Sequence, residues 1–262
     1  MPDFILDLAG WQLGAIAAIF AWSGFVRSGL GFGGALLSIP FILLIDNRPL
    51  IYLPIIAVQL LVFATLTFVQ EHQTRTHALQ ISTAVDWKFL KRALAIMIVP
   101  KLIGVFGLIT LPSYIMSAII FCIVSIYGLS YLFAKPFKSN NQYIDALFLV
   151  LGAYISGTSL IGAPLIVAVF ACHVAKDQLR LTVFILWMIL VTIKLTAFIA
   201  NGVDLQLIQN IWLLPAAAVG HFIGMHFHAQ ILHRDTSVFY RWLGSALLLA
   251  SIAGLFKELH VW

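Results

Sequence analysis

Apolar residues in this chain run in long blocks and do not alternate with polar ones. A block of roughly 20 apolar residues spans a bilayer as a helix. Six blocks fit one straight span each: residues 50–70, 90–110, 113–133, 181–200, 211–231 and 239–256. Two longer segments, 8–45 and 143–174, are too long for one straight helix and short for two full passes. Both are interrupted by glycine. The first carries Ser23-Gly24-Phe25-Val26-Arg27-Ser28-Gly29-Leu30-Gly31-Phe32-Gly33-Gly34-Ala35-Leu36, the second Ser156-Gly157-Thr158-Ser159-Leu160-Ile161-Gly162-Ala163-Pro164-Leu165. A glycine inside a helix costs about 1 kcal/mol relative to alanine, so repeated glycines predict that the helix breaks there. In lipid, broken backbone persists only where protein buries it or where it lines a cavity. Each segment therefore reads as a re-entrant hairpin, two half-length helices meeting at a break inside the membrane. An eight-span reading, in which each broken segment crosses once, stays open.

Composition strengthens the membrane reading. Hydrophobic residues make up 62% and charged residues 10% of the 262, with a mean hydropathy of +1.03; soluble domains carry about 25% charged residues. The net charge of +5 reads as topology, not as nucleic-acid binding, because the basic residues cluster in short loops. Arg75, Lys88, Lys91 and Arg92 follow the first straight span. Lys135 and Lys138 follow the third, Lys176 and Arg180 the second broken segment, and Arg234 and Arg241 flank the link to the last span. Positive loops stay cytoplasmic. That places both ends of 143–174 on one side, as a hairpin requires, and both termini outside; Arg48 is the exception. Met1 to Asp7 is acidic and lacks a basic n-region, so no cleavable signal is expected. Cys122 and Cys172 read as small core residues. Trp11, Tyr52, Trp87, Trp212 and Tyr240 read as interfacial anchors.

The two halves match each other. Setting Gly33-Gly34-Ala35-Leu36 on Gly162-Ala163-Pro164-Leu165 brings Arg27 to Ser156 and Pro40 to Val169. Further along, Lys101-Leu102-Ile103-Gly104 falls on His221-Phe222-Ile223-Gly224, and Val85-Asp86 on Val203-Asp204. The expected fold is an all-α polytopic membrane protein of two inverted repeats. Residues 1–138 form the first (hairpin 8–45) and 139–262 the second (hairpin 143–174). Each is a broken, re-entrant helix hairpin plus three transmembrane helices. Three is odd, so the halves take opposite orientations, a plan common among secondary transporters.

Ionisable residues at membrane depth are costly and point to function. Three cations lie there: Arg27 beside the first break, Lys101 in 90–110 and Lys194 in 181–200. Asp46, Asp86, Asp145, Asp177 and Asp204 fall near segment ends, and Glu71 and Glu258 lie outside the membrane core. Uncompensated cations call for an anion, and half-helix N-termini at the breaks would add N–H donors. The candidate substrate-binding residues are Arg27, Gly29, Gly31, Gly33, Gly34, Lys101, Ser156, Thr158, Ser159, Gly162, Lys194 and His221. Ordinary readings stand beside these. Lys194 can snorkel, Lys101 can bond carbonyls freed by Pro100, and the glycines can serve only close helix packing. His226, His228 and His233 follow His221 on two different helix faces, which favours an interfacial cluster over a metal site. No cofactor, metal or catalytic residue is expected.

At these residues the chain resembles the sulfite exporter TauE/SafE family of membrane proteins. The resemblance rests on the glycine-rich segment ending in Pro40, on Val85-Asp86-Trp87, and on the weaker repeat ending in Gly162-Ala163-Pro164. Ala163 stands where the first half has Gly34, a departure from a double-glycine pattern. The resemblance implies export of a small sulfur-containing anion, such as sulfite, sulfoacetate or a related organosulfonate, across a bacterial inner (cell) membrane. The anion would bind at the midplane between the two glycine-rich breaks. An anion channel is the alternative. An intramembrane enzyme using Ser159 and His221 lacks a carboxylate at depth to orient an imidazole. Lipid is the expected surrounding, and a homodimer is left open.

Overall fold

The structure is a computed structural model that describes residues 8–30, 33–77, 85–133, 137, 141–232 and 237–259. Gly31, Lys135, Lys138, His233 and Arg234 lie outside the described residues, as do the side chains of Arg75, His228 and Tyr240. All regular structure among the described residues is helical. The helices are α1 Gly10–Leu30, α2 Ile39–Ile45, α3 Pro49–His77, α4 Trp87–Thr110, α5 Ser113–Leu132, α6 Gln142–Ser159, α7 Ala163–His173, α8 Lys176–Ala200, α9 Leu207–Leu232 and α10 Ser237–Leu259. Each predicted straight span is helical: five are lengthened at one or both ends, and 113–133 ends one residue earlier, at Leu132. Among the described residues five helices are long and apolar enough to cross a membrane: α3, α4, α5, α8 and α9.

Helix α4 shows how such a helix divides its faces. Leu90, Ala93, Met97, Lys101, Gly104, Val105 and Leu108 are buried, while Ile98, Val99, Leu102, Ile103 and Phe106 are exposed. Beyond the exposed Lys88, Lys91 and Arg92 of its first turns, the outer face is apolar and the one mid-helix cation points inward, the reverse of a helix in water. Asp86 caps the start of α4, its Oδ1 accepting from the Phe89 amide at 2.9 Å. Its own amide donates to Thr182 Oγ1 at 3.0 Å. The Val85-Asp86-Trp87 run is thus a helix start tied to α8.

The described chain packs as two compact units, each drawing on both halves of the sequence. One comprises Met1–Ile55, Thr110–Pro136 and Gln206–Trp262; the other comprises Ile56–Ile109 and Phe137–Leu205. In the first unit α1 packs along α9 with glycines at the contact. A Cβ on Gly24 would strike the Ala217 carbonyl oxygen, and one on Gly220 the Ala21 carbonyl oxygen. Helices α5 and α10 meet through Gly128 and Gly244 in the same way. Apolar lipid supplies no hydrophobic drive between helices, so such contacts rely on close packing, which small residues permit. In the second unit α6 and α7 form an antiparallel pair. Asp145 near the start of α6 meets His173 at the end of α7, and a Cβ on Gly152 would press on Ile166. Leu149, Ala153, Ile166, Val169 and Phe170 share a core with Ala93 and Met97 of α4.

Several expectations need correction. The arms of the broken segments are unequal, not half-length: α1 has 21 residues and α2 has 7, α6 has 18 and α7 has 11. At 1.5 Å per residue α1 is about 31 Å long, a full bilayer core. The helix runs through Gly24 and Gly29 without breaking, because close contact with α9 offsets their poor helix propensity. Cys122 and Cys172 are exposed, not core. Tyr52 is buried, and its hydroxyl donates to Asp46 Oδ2 at 2.6 Å. Arg48 pairs with the same carboxylate at 2.7 Å, which offsets its positive charge in that loop.

Candidate functional site

The second unit builds its polar centre at the end of α6. Pro164 lies in the first turn of α7, where its missing N–H costs nothing but bars continuation of α6. The chain turns at Leu160, whose φ of 62° is left-handed, a conformation costing a non-glycine residue about 1–2 kcal/mol. A Cβ on Gly162 would strike the Gly152 carbonyl oxygen, so only glycine lets α7 fold back this tightly. A helix end leaves its last carbonyls without helical donors. The Leu160 amide donates to the Ser156 carbonyl oxygen at 3.2 Å, and two ammonium groups supply further donors. Lys101 Nζ donates to the Ser156 carbonyl oxygen and to Ser156 Oγ, both at 2.9 Å. Lys194 Nζ donates to the carbonyl oxygens of Gly157 at 2.7 Å and Thr158 at 3.3 Å. Both lysines are 0% exposed. Lys194 Nζ also sits 5.4 Å from the centre of the Phe198 ring, within cation–π range.

A helix C-terminus attracts cations, so the placement is favourable. It is also incomplete. An ammonium carries three donors, and each lysine uses two on these acceptors. Among the described residues neither ammonium meets a carboxylate. The hydroxyls of Thr158 and Ser159 are turned onto the helix, donating to the Ile155 carbonyl oxygen at 3.0 and 2.9 Å. Lys194 does not snorkel. Lys101 bonds a carbonyl of another helix and not one freed by Pro100.

The first unit has a basic centre of its own. Arg27 lies in the last turn of α1 and is 8% exposed. Its neighbour Ser28 shares a buried hydrogen bond between Oγ and His221 Nδ1. Beyond α1 the described chain resumes at Gly33, whose φ of 88° favours glycine. A Cβ on Gly34 would press on the Ser23 carbonyl oxygen and on Arg27 Cβ, so Gly34 brings the returning chain against the arginine's own turn. Ser38 Oγ then donates to the Gly34 carbonyl oxygen at 2.8 Å.

The predicted residues thus fall into two groups. Lys101, Lys194, Ser156, Thr158, Ser159 and Gly162 gather at the end of α6, and Arg27, Gly29, Gly33, Gly34 and His221 at the end of α1. His221 bonds Ser28, not Ser159. Sequence reasoning missed Ser28; a hydroxyl beside an intramembrane arginine was the available signal.

Long apolar helices and cations buried at helix ends define an integral membrane protein. Over residues 16–255 the chain matches the family model described as Sulfite exporter TauE/SafE, and it belongs to that family of membrane transporters. No curated protein and no solved structure matches the chain.

Proposed function

We propose that this protein is a secondary transporter that exports a small sulfur-containing anion, sulfite or an organosulfonate such as sulfoacetate. The anion is recognised at the buried basic groups beside the helix breaks, near the membrane midplane. The lysine pair at the end of α6 carries the reading. A lysine at the centre of a membrane helix costs about 2.5–3.5 kcal/mol on insertion scales. Hydrogen bonds to a charged group return about 1.5–3 kcal/mol each, yet neutral carbonyls leave the charge itself uncompensated. An anion neutralises it and supplies several acceptor oxygens to the remaining ammonium donors. Arg27 gives the first unit a basic group of the same kind.

Matching contacts in the two units support the inverted-repeat plan. A Cβ on Gly104 would meet the Tyr154 carbonyl oxygen and the Thr158 amide nitrogen; one on Gly224 would meet the Phe25 carbonyl oxygen and the Gly29 amide nitrogen. In the alignment of the halves, Tyr154 falls on Phe25, Thr158 on Gly29 and Gly104 on Gly224. Each half therefore lends its proline-containing helix to the other half's broken helix. The antiparallel packing of α7 on α6 supports a re-entrant hairpin; with its basic flank Lys176 and Arg180 cytoplasmic, the three helices that follow put the C-terminus outside the inner membrane. Export then runs with the inside-negative potential, worth about 2.3 kcal/mol per charge per 100 mV.

Flux of radiolabelled sulfite and sulfoacetate from proteoliposomes tests the proposal. Saturable flux that falls in Lys101→Ala and Arg27→Ala is the expected result. Unchanged binding and flux in both variants would sink the site assignment, and a unitary current at saturating anion would replace the carrier with a channel.

A further inference from the structure

The end of the α6–α7 hairpin away from the lysines holds a cavity of about 320 Å³. Helices α4, α6 and α7 line it, all within the second unit. Its mouth is polar, with Arg92, Gln142, Asp145 and His173; its floor is apolar, with Ala93, Leu149 and Val169. The two charged groups at the mouth, Asp145 and Arg92, are not paired with each other. Asp145 Oδ2 is held by His173 Nε2 at 2.8 Å, and the His173 ring stacks on Phe89 at 5.2 Å between centroids. Arg92 is exposed, lines the same cavity and meets no hydrogen-bond or ion-pair partner among the described residues, which leaves its guanidinium donors available to a ligand there. The volume lies at the lower end of the roughly 300–1,000 Å³ usual for small-molecule sites.

We propose that this cavity binds a small organic anion bearing a short apolar tail. The head group takes the Arg92 fork and the Gln142 amide, and the tail lies on Leu149 and Val169. An arginine fork suits a flat or trigonal array of acceptor oxygens, and a hydrocarbon floor favours a tail of a few carbons over a bare oxyanion. The cavity is separate from the lysine pair. Asp145, Leu149, Gly152 and Ser156 follow one stripe of α6, and the close contact of Gly152 with Ile166 stands between the two places. Binding here does not depend on the transport reading. If the protein also exports organosulfonates, the cavity is where such a molecule waits before the buried lysines.

The test uses the full chain in a neutral detergent, titrated calorimetrically with hexane-1-sulfonate and with methanesulfonate. The expected result is tighter binding of hexane-1-sulfonate. Arg92→Gln, at an exposed position that leaves the packing alone, weakens it about tenfold or more, the worth of a charge-assisted contact. Ala146→Phe, which fills the cavity from its wall, weakens it as well. The Lys101→Met, Lys194→Met double variant retains it, which separates this site from the one proposed for transport. Equal affinity for the two sulfonates, or binding indifferent to both Arg92→Gln and Ala146→Phe, overturns the proposal. A bilayer lipid with an anionic head offers the same chemistry. Arg92-dependent binding of phosphatidylglycerol in nanodiscs, without binding of hexane-1-sulfonate, would assign the cavity to lipid and overturn the small-anion reading.

Discussion

The Nζ of Lys194 stands 2.7 Å from the carbonyl oxygen of Gly157, the residue that follows the Ser156 carbonyl held by Lys101. Two side chains from two different helices thus close consecutive carbonyls at one helix end. A helix that stops inside a membrane must satisfy those carbonyls without water, and here the donors are charged.

Replacing Lys194 by methionine separates charge from packing. Lys194→Met removes hydrogen bonds of about 1.5–3 kcal/mol each, but it also removes a buried charge whose desolvation costs several kcal/mol. The melting temperature is therefore expected to stay level or rise while anion flux falls at least about tenfold. A variant that melts early and transports normally when folded would mean the lysine is structural only.

Gly104 and Gly107 lie one turn apart on α4 with opposite consequences. A Cβ on Gly104 would strike the Tyr154 carbonyl oxygen, whereas one on Gly107 would meet nothing within 4 Å. Gly104→Ala should destabilise the protein by about 1–3 kcal/mol, as overpacking does. Gly107→Ala should stabilise it by up to about 1 kcal/mol through helix propensity. Denaturation in mixed detergent micelles measures both.

The antiparallel pairing of α6 and α7 makes a topological prediction. In a background with Cys122 and Cys172 replaced by serine, single cysteines at Asn141 and Lys176 should react with a membrane-impermeant maleimide from the same side of the bilayer. Labelling from opposite sides would restore the reading in which the segment crosses once.

Asn47 holds the loop between α2 and α3 to two other helices. Its Nδ2 donates to Glu258 Oε1 at 2.7 Å, and Ser117 Oγ donates to its Oδ1. Glu258 and Ser117 are buried. Asn47→Ala strips both of a partner at about 1–3 kcal/mol each, so a loss of about 2–6 kcal/mol is expected in the same unfolding assay. Asn47→Asp should cost more, because it sets a second carboxylate against Glu258.

The spans, the two interrupted segments, the intramembrane cations and the family were legible in the amino acids. Each is a local property: some 20 apolar residues suffice to predict a crossing, and one lysine among them is conspicuous. The break in 143–174 was visible for a similar reason, since Gly162-Ala163-Pro164 cannot carry the α6 ladder onward. The glycines of the first segment misled at Gly24 and Gly29, where they permit contact with α9 and do not end the helix.

Partnership was decided only in three dimensions. That α4 seats on α6 and α9 on α1, that Lys101 and Lys194 meet consecutive carbonyls, that Tyr52 is inside and the two cysteines outside, no local pattern announces. The reason is physical: in lipid the packed and the exposed faces of a helix are both apolar, so periodicity is silent about which face finds a neighbour. Close approach of backbone to backbone, allowed at a few glycines, makes that choice.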